Sequence, residues 1–159
     1  YKMDDSWCYE NRTRRCDKYG RLYSWEAAMN ACPQGWHLPS DAEWKILEGT
    51  VDSQYGVGDP EWDDTVGRSL DAGKKLKFTS GWYNGGNGTD DYGFSALPGG
   101  YRLYNGSFDN MGHYAYFWSS TETAALRAWY RILHSDTDAV GRYDYNEDYG
   151  FSVRCLRDL

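Results

Sequence analysis

Apolar and polar positions change their spacing along the chain. In the first third they fall at helical intervals in short windows. SWEAAMNAC (24–32) reads as a short helix built on Ala27, Ala28 and Ala31 and stopped by Pro33. After the Pro/Gly-rich connector PQGWHLPS, Ser40 and Glu43 form the capping-box pattern S-D-A-E. It opens a second helix through about Glu48, with Trp44 and Leu47 on one face and Gly49 after the last turn. Residues 52–62 read as loop. Asp63 or Asp64 is placed to cap a third short helix containing Val66, Ser69 and Leu70. Residues 73–108 are rich in Gly and poor in apolar runs, a long irregular region of the kind that often carries function. Beyond it AYFWSS, LRAWYRIL, AVGRYDY and GFSVRCL have strand composition, separated by Asp/Ser/Gly-rich turns. Helices first, loops in the middle and strands last predict an α+β domain with an antiparallel sheet.

Composition narrows the function. The chain has 159 residues, the size of one domain (1–159), and 40% hydrophobic with 18% aromatic residues excludes disorder. No run approaches the ~20 apolar residues of a membrane span, so no direct membrane insertion is expected. A net charge of −7 repels phosphate backbones and anionic lipid surfaces, which argues against nucleic-acid and membrane-surface partners. The opening YKMDDSWCYEN has neither initiator Met nor an apolar leader, and is expected to be the edge of a piece, the C-terminal part of a longer surface protein.

The four cysteines are Cys8, Cys16, Cys32 and Cys155. An even count allows two disulfides in three connectivities. Cys8 and Cys16 flank the turn-like ENRTRR, a spacing that suits a hairpin closed by a disulfide; Cys32 and Cys155 would then tie the first third to the C-terminus. Zinc would need C-x2-4-C pairs, which are absent. Four reduced thiols are the alternative; two disulfides imply an oxidising compartment.

The segments WCYEN, KYGRLYSW, AAMNACPQGWHLPSDAEW, AGKKLK, DDYGFSALPGGYR, YFWSSTE and GFSVRCLRD, in this order, resemble the Fibrobacter succinogenes major paralogous domain family, a branch of the C-type-lectin-like fold. The resemblance implies two main helices packed on small antiparallel sheets with long Gly-rich loops. It implies that Cys32 pairs with Cys155 and Cys8 with Cys16. It places the protein outside a bacterial cell or on its surface, or on a phage virion, as an adhesion or ligand-binding module. The family's usual first strand, upstream of residue 7, has no counterpart here.

Candidate chemistry is sparse. His37 lies in the connector GWHLPS and reads as structural; His113 has no nucleophile pattern beside it, and neither G-x-S-x-G nor H-E-x-x-H occurs. Enzymes of the broader fold that make formylglycine use free reactive cysteines, and none is spare here. The carboxylate clusters Asp59, Glu61, Asp63, Asp64 and Asp90, Asp91 read as loop acids rather than a glycosidase pair. The E-P-N, Q-P-D and W-N-D calcium motifs of sugar-binding C-type lectins are absent; the matching strand reads Trp118-Ser119-Ser120. Loop 84–91, NGGNGTDD, has oxygen ligands but no EF-hand spacing, and reads as a solvated loop. No catalytic residue, metal or cofactor is therefore assigned.

The informative stretch is 121–150. Ala125, Ala128, Trp129, Arg131, Leu133, Val140, Arg142 and Glu147 look like scaffold, and the rest of 123–149 is rich in Tyr, Asp, Ser, Thr, Ala and Gly. That mix resembles antibody loops, in which Tyr gives contact area at low entropy cost. Tyr130, Tyr143, Tyr145 and Tyr149 are the expected aromatic anchors of an exposed face. Arg127, His134, Asp136, Asp138, Asp144 and Asp148 are its expected polar contacts. Some members of the resembled family are diversified by retroelements that rewrite Asn-type codons, which never yield Met, Trp, Lys, Gln or Glu. The non-scaffold positions of 123–149 contain none of these five. The expected partner is a protein or glycan on another cell surface. The competing readings are an ordinary polar-faced sheet in a structural module of a larger surface or fimbrial assembly, and, last, a carbohydrate-active enzyme.

Overall fold

A computed structural model describes residues 3–159. Strand β1 (Ser6–Trp7) pairs antiparallel with β2 (Leu22–Tyr23). Helix α1 (Thr13–Tyr19) lies between them. The Cys8–Cys16 disulfide is present, with Cα atoms 5.0 Å apart, but it does not close a hairpin. Its loop is a 3-10 turn, Tyr9–Asn11, running into α1, and it bends through left-handed Glu10 and Asn11 (φ 53° and 56°). The polar run ENRTRR carries no apolar periodicity, so nothing in it marks a helix.

Ser24 caps α2 (Trp25–Met29) by accepting from the Ala27 N–H. Strand β3 (Trp36–His37) follows, then α3 (Asp41–Val51), whose Ser40/Glu43 capping box is complete. The helix runs past Glu48, and Gly49 is inside it rather than after it. A Cβ there would lie 2.7 Å from the Val57 backbone, so the glycine serves a close approach of the following loop, not a helix stop. The expected helix at Val66–Leu70 does not form. Asp59 instead caps a 3-10 turn, Pro60–Asp63, and the chain turns through left-handed Gly67 and Ser69. The next helix is α4 (Ala72–Leu76). Its start is set by Asp52, whose carboxylate accepts from the N–H groups of Leu70, Asp71 and Ala72, and also from Gln54 and Tyr55.

Strands β4 (Gly99–Arg102), β5 (Phe108–Met111), β6 (Tyr114–Ala124), β7 (Arg127–His134) and β8 (Gly141–Asn146) form one sheet in the order β5-β4-β6-β7-β8. All pairings are antiparallel except β4 with β6. The expected GFSVRCL strand is only partly regular. Phe151 and Ser152 make single bridges to Tyr23 and Phe117, and β9 (Leu156–Arg157) pairs with β3. Cys155, just before β9, bonds Cys32 across a sequence separation of 123. A loop of that length is worth about 4–5 kcal/mol in chain-entropy accounting.

Side chains alternate along β6. Ala115 and Phe117 join a core with Trp44, Val51, Trp62, Leu76, Trp82, Leu133 and Val140. Tyr116 and Trp118 join a second core with Tyr23, Ala27, Ala28, Ala128, Tyr130 and Phe151 on the other face. On the first face Arg131 and Arg142 stand directly opposite each other across β7 and β8. Like charges in such a pair repel. Asp41 resolves this: it accepts from Arg131 at 2.7 Å and from Arg142 through both oxygens at 2.8 Å. Glu48, fully buried, bonds Arg131 and is forked by the equally buried Arg68 at 3.0 and 2.7 Å. Burial alone would raise the Asp41 carboxyl, but its bonds to Arg142 and Arg131 hold it well below the usual carboxylate range.

Two outcomes are expected. Glu48→Gln removes the only carboxylate partner of Arg68 among the described residues and one of the two of Arg131, and should lower stability by about 3–5 kcal/mol in urea unfolding; a loss within experimental error would mean the network is dispensable. His37 bridges Asp158 (2.6 Å) and Glu43 (3.0 Å), clasping the C-terminus. The bond to Asp158, then that to Glu43, raises its pKa. The clasp is therefore complete below the unfolded value, roughly 6.5, and is lost as pH rises through the raised folded value. NMR titration should place His37 above about 6.5, with Asp158→Asn moving it down; an unmoved titration would contradict the clasp.

Candidate functional site

The second sheet face is built by strand alternation. Tyr114, Tyr116 and Trp118 on β6 stand opposite His134, Ile132 and Tyr130 on β7, and Tyr143 and Tyr145 on β8 continue the rows. Tyr101 joins from β4, and Tyr149 and Phe151 from the segment after β8. Helix α2 covers the Trp118 and Ala128 end, where the Trp25 indole donates to the Ser119 carbonyl at 2.8 Å. It stops short of the remainder: Tyr104 is 68% and Tyr145 40% exposed.

What stays open is a tyrosine-walled recess. Tyr101, Tyr116, Tyr130, Tyr145, Tyr149 and Phe151 enclose about 140 Å³. Beside it Tyr104, Arg127, Tyr145, Asn146, Asp148 and Tyr149 line a wider groove of about 430 Å³. Tyr145 stands edge-on to Tyr149 at 4.5 Å, and Tyr149 lies parallel to Tyr101 at 6.0 Å. Tyr116 is fixed by a hydrogen bond from the Asn110 side chain at 2.9 Å. At the rim, Arg127 donates to Asp144 at 2.8 Å, and so does the Thr123 hydroxyl. That pairing holds the Asp144 carboxyl below its ordinary range.

Burial pushes the Tyr116 and Tyr130 phenols above their ordinary value. A hydrogen bond with Tyr145, aided by burial, pushes Tyr149 up to about 12. The recess therefore offers neutral phenols and ring faces at physiological pH, suited to stacking and hydrogen bonding. Among the described residues, no group of three or more His, Cys, Asp or Glu is placed to hold a metal ion.

The structure divides the residues expected to form one face. Arg127, Asp144, Tyr145, Asp148 and Tyr149 gather at the recess end of the β7–β8 hairpin. Tyr143 packs on Tyr130 beside it. Tyr130 is not an exposed anchor: it is 8% exposed, held among Trp118, Tyr116 and Phe151, and forms the floor. His134, Asp136 and Asp138 lie at the opposite end of the hairpin. There His134 stacks on Tyr114 at 4.0 Å, and buried Lys77 donates to the His134 and Thr137 carbonyls. Of the expected scaffold, Ala128, Arg131, Leu133, Val140 and Arg142 are buried, while Ala125 is exposed in the β6–β7 turn. Tyr101, Tyr104 and Tyr116 come from outside 123–149. The alternation of Tyr114, Tyr116 and Trp118 along β6 is the pattern that marks this face.

A two-disulfide α+β domain with an open tyrosine face is the class these observations define. The chain belongs to the Fibrobacter succinogenes major domain family, whose model matches residues 1–157. No curated protein and no solved structure matches the chain.

Tyr145→Phe should bring the Tyr149 phenol down from about 12 toward the ordinary ~10, read by NMR of labelled tyrosine rings; an unchanged Tyr149 would show that the two rings do not share a hydrogen bond.

Proposed function

We propose that this domain is an extracellular ligand-binding module on a C-type-lectin-like frame, and that it grips a protein or glycan through the tyrosine recess and its groove. The observation that carries the reading is the recess itself: six aromatic walls contributed by β4, β6, β7, β8 and the segment after β8, open to solvent beside a groove with a charged and amide rim. Aromatic walls with a few polar groups suit the apolar faces of a sugar or an inserted peptide side chain. Two disulfides suit an oxidising compartment. No helix among the described residues is long and apolar enough to cross a membrane.

The composition of 123–149 supports a further element of this reading, diversification of the segment by a retroelement. Thr123, Ala124, Leu126, Arg127, Tyr145 and Asp148 are exposed, and replacing them leaves both cores intact. Variation there would change the ligand without changing the frame.

The test is a comparison on glycan and cell-surface-protein arrays. Tyr104→Ala with Tyr145→Ala should abolish every specific signal of the wild type while the melting temperature stays within a few degrees. Tyr130→Ala should instead destabilise the fold by roughly 3–5 kcal/mol. Signals that survive the exposed-tyrosine variant, or an equal loss of fold in both variants, would sink the proposal.

A further inference from the structure

Away from the tyrosine face, a second concavity of about 220 Å³ lies between α3 and the C-terminal segment. Its walls are mainly apolar: Pro39, Trp44, Leu47, Phe94 and Leu156. Two residues lining it carry donors that the protein does not use. The Trp44 indole N–H is buried with no acceptor. Arg154 makes no hydrogen bond and no ion pair among the described residues; its guanidinium lies over the Phe94 ring, 4.4 Å from the centroid.

The contrast with the buried arginines is sharp. Arg68, Arg131 and Arg142 all bond carboxylates. The acid on the cavity wall and the acid whose field reaches Arg154 are both already committed. Glu43, on the cavity wall, accepts from the Ser40 N–H at 2.8 Å and pairs with His37 at 3.0 Å. Asp90 spends both oxygens on Ser95, at 2.6 Å each. Burial, the largest influence on Arg154, works against its charge, and only the distant field of Asp90 opposes it. Arg154 also borders a cleft of about 440 Å³ on the α1 side, which it shares with Lys18, Tyr19, Ser95 and Ser152.

We propose that this cavity is a second binding site, for a small apolar carboxylic acid whose carboxylate pairs with Arg154 and whose hydrocarbon body packs on Trp44, Leu47 and Phe94. A planar, weakly hydrated guanidinium is the side chain best matched to a carboxylate, through two parallel hydrogen bonds. An apolar pocket with a few convergent polar groups is the usual form of a small-molecule site. The site shares no lining residue with the tyrosine recess, so it stands whether or not that recess binds a ligand.

The probe is hexanoate, with hexanamide as its uncharged counterpart, titrated into the ¹⁵N-labelled, disulfide-intact protein. Hexanoate should shift the Trp44 indole resonance saturably, with a dissociation constant on the order of 1 mM or tighter. Hexanamide should bind at least about tenfold more weakly, and Arg154→Met should erase that difference. Leu47→Phe should fill the cavity and block both probes, while the Tyr145 and Tyr149 resonances stay unmoved in every titration. No saturable shift of Trp44 would overturn the proposal. Equal binding of acid and amide by the wild type would overturn it too, because it would make the cavity an apolar groove indifferent to charge; this comparison needs no variant.

Discussion

Arg131 and Arg142 face each other on neighbouring strands, in a position where two guanidiniums repel, and the fold around them is arranged to make that position tenable. Asp41 sits at the first turn of α3 and bonds both; Glu48, further along the same helix, bonds Arg131 and Arg68. Three buried cations and two buried carboxylates thus join a helix, a loop and a strand pair that lie far apart in sequence. Such a cluster need not add more net stability than a hydrophobic core of equal volume. What it adds is geometry, because each guanidinium fork is satisfied only when α3 lies across β7 and β8 in one orientation. The capping box at Ser40 places Asp41 by fixing where α3 begins.

That arrangement accounts for the asymmetry of the sheet. One face of β7 and β8 is committed to α3 through Arg131, Leu133 and Arg142. The other is committed only at the end beneath α2, by Trp118 and Ala128. The remaining tyrosines pack on one another, with Tyr130 and Tyr116 as floor and Tyr145 and Tyr149 as outer wall. Ring-on-ring contacts let this surface hold its shape without a covering element. The rigid side and the presented side are therefore the two faces of the same strands.

Features that depend on neighbours in sequence were legible from the chain: the Ser40/Glu43 box, the α2 helix, the β6, β7 and β8 strands, and the family through its motifs. The disulfide pairing followed from the family resemblance. Features that depend on remote atoms were not. Gly49 looks like a helix stop because the Val57 backbone that requires it is invisible in one dimension. The start of α4 is set by Asp52 from some twenty residues away, so a local search for a cap finds Asp63 and Asp64 instead. The tyrosines of 123–149 share a composition, and Tyr130 and Tyr145 share a sheet face, yet Tyr130 on the inner strand β7 is packed among Tyr116, Trp118 and Phe151 while Tyr145 near the end of the edge strand β8 is exposed. His134 and Tyr145 belong to one hairpin but to its opposite ends, a separation that composition does not record.

Strands β7 and β8 carry one face fixed against α3, and on the other a fixed floor of Ala128 and Tyr130 beside a presented rim at Tyr145. Saturation mutagenesis of residues 123–149, sorted for folded protein by a conformation-sensitive binder on a display platform, tests this division directly. Ala128, Tyr130, Arg131, Leu133, Val140 and Arg142 should reject nearly all replacements, and Thr123, Arg127, Tyr145 and Asp148 should accept most of them. Free substitution at Arg131 and Arg142, on a par with Tyr145 and Asp148, would contradict it.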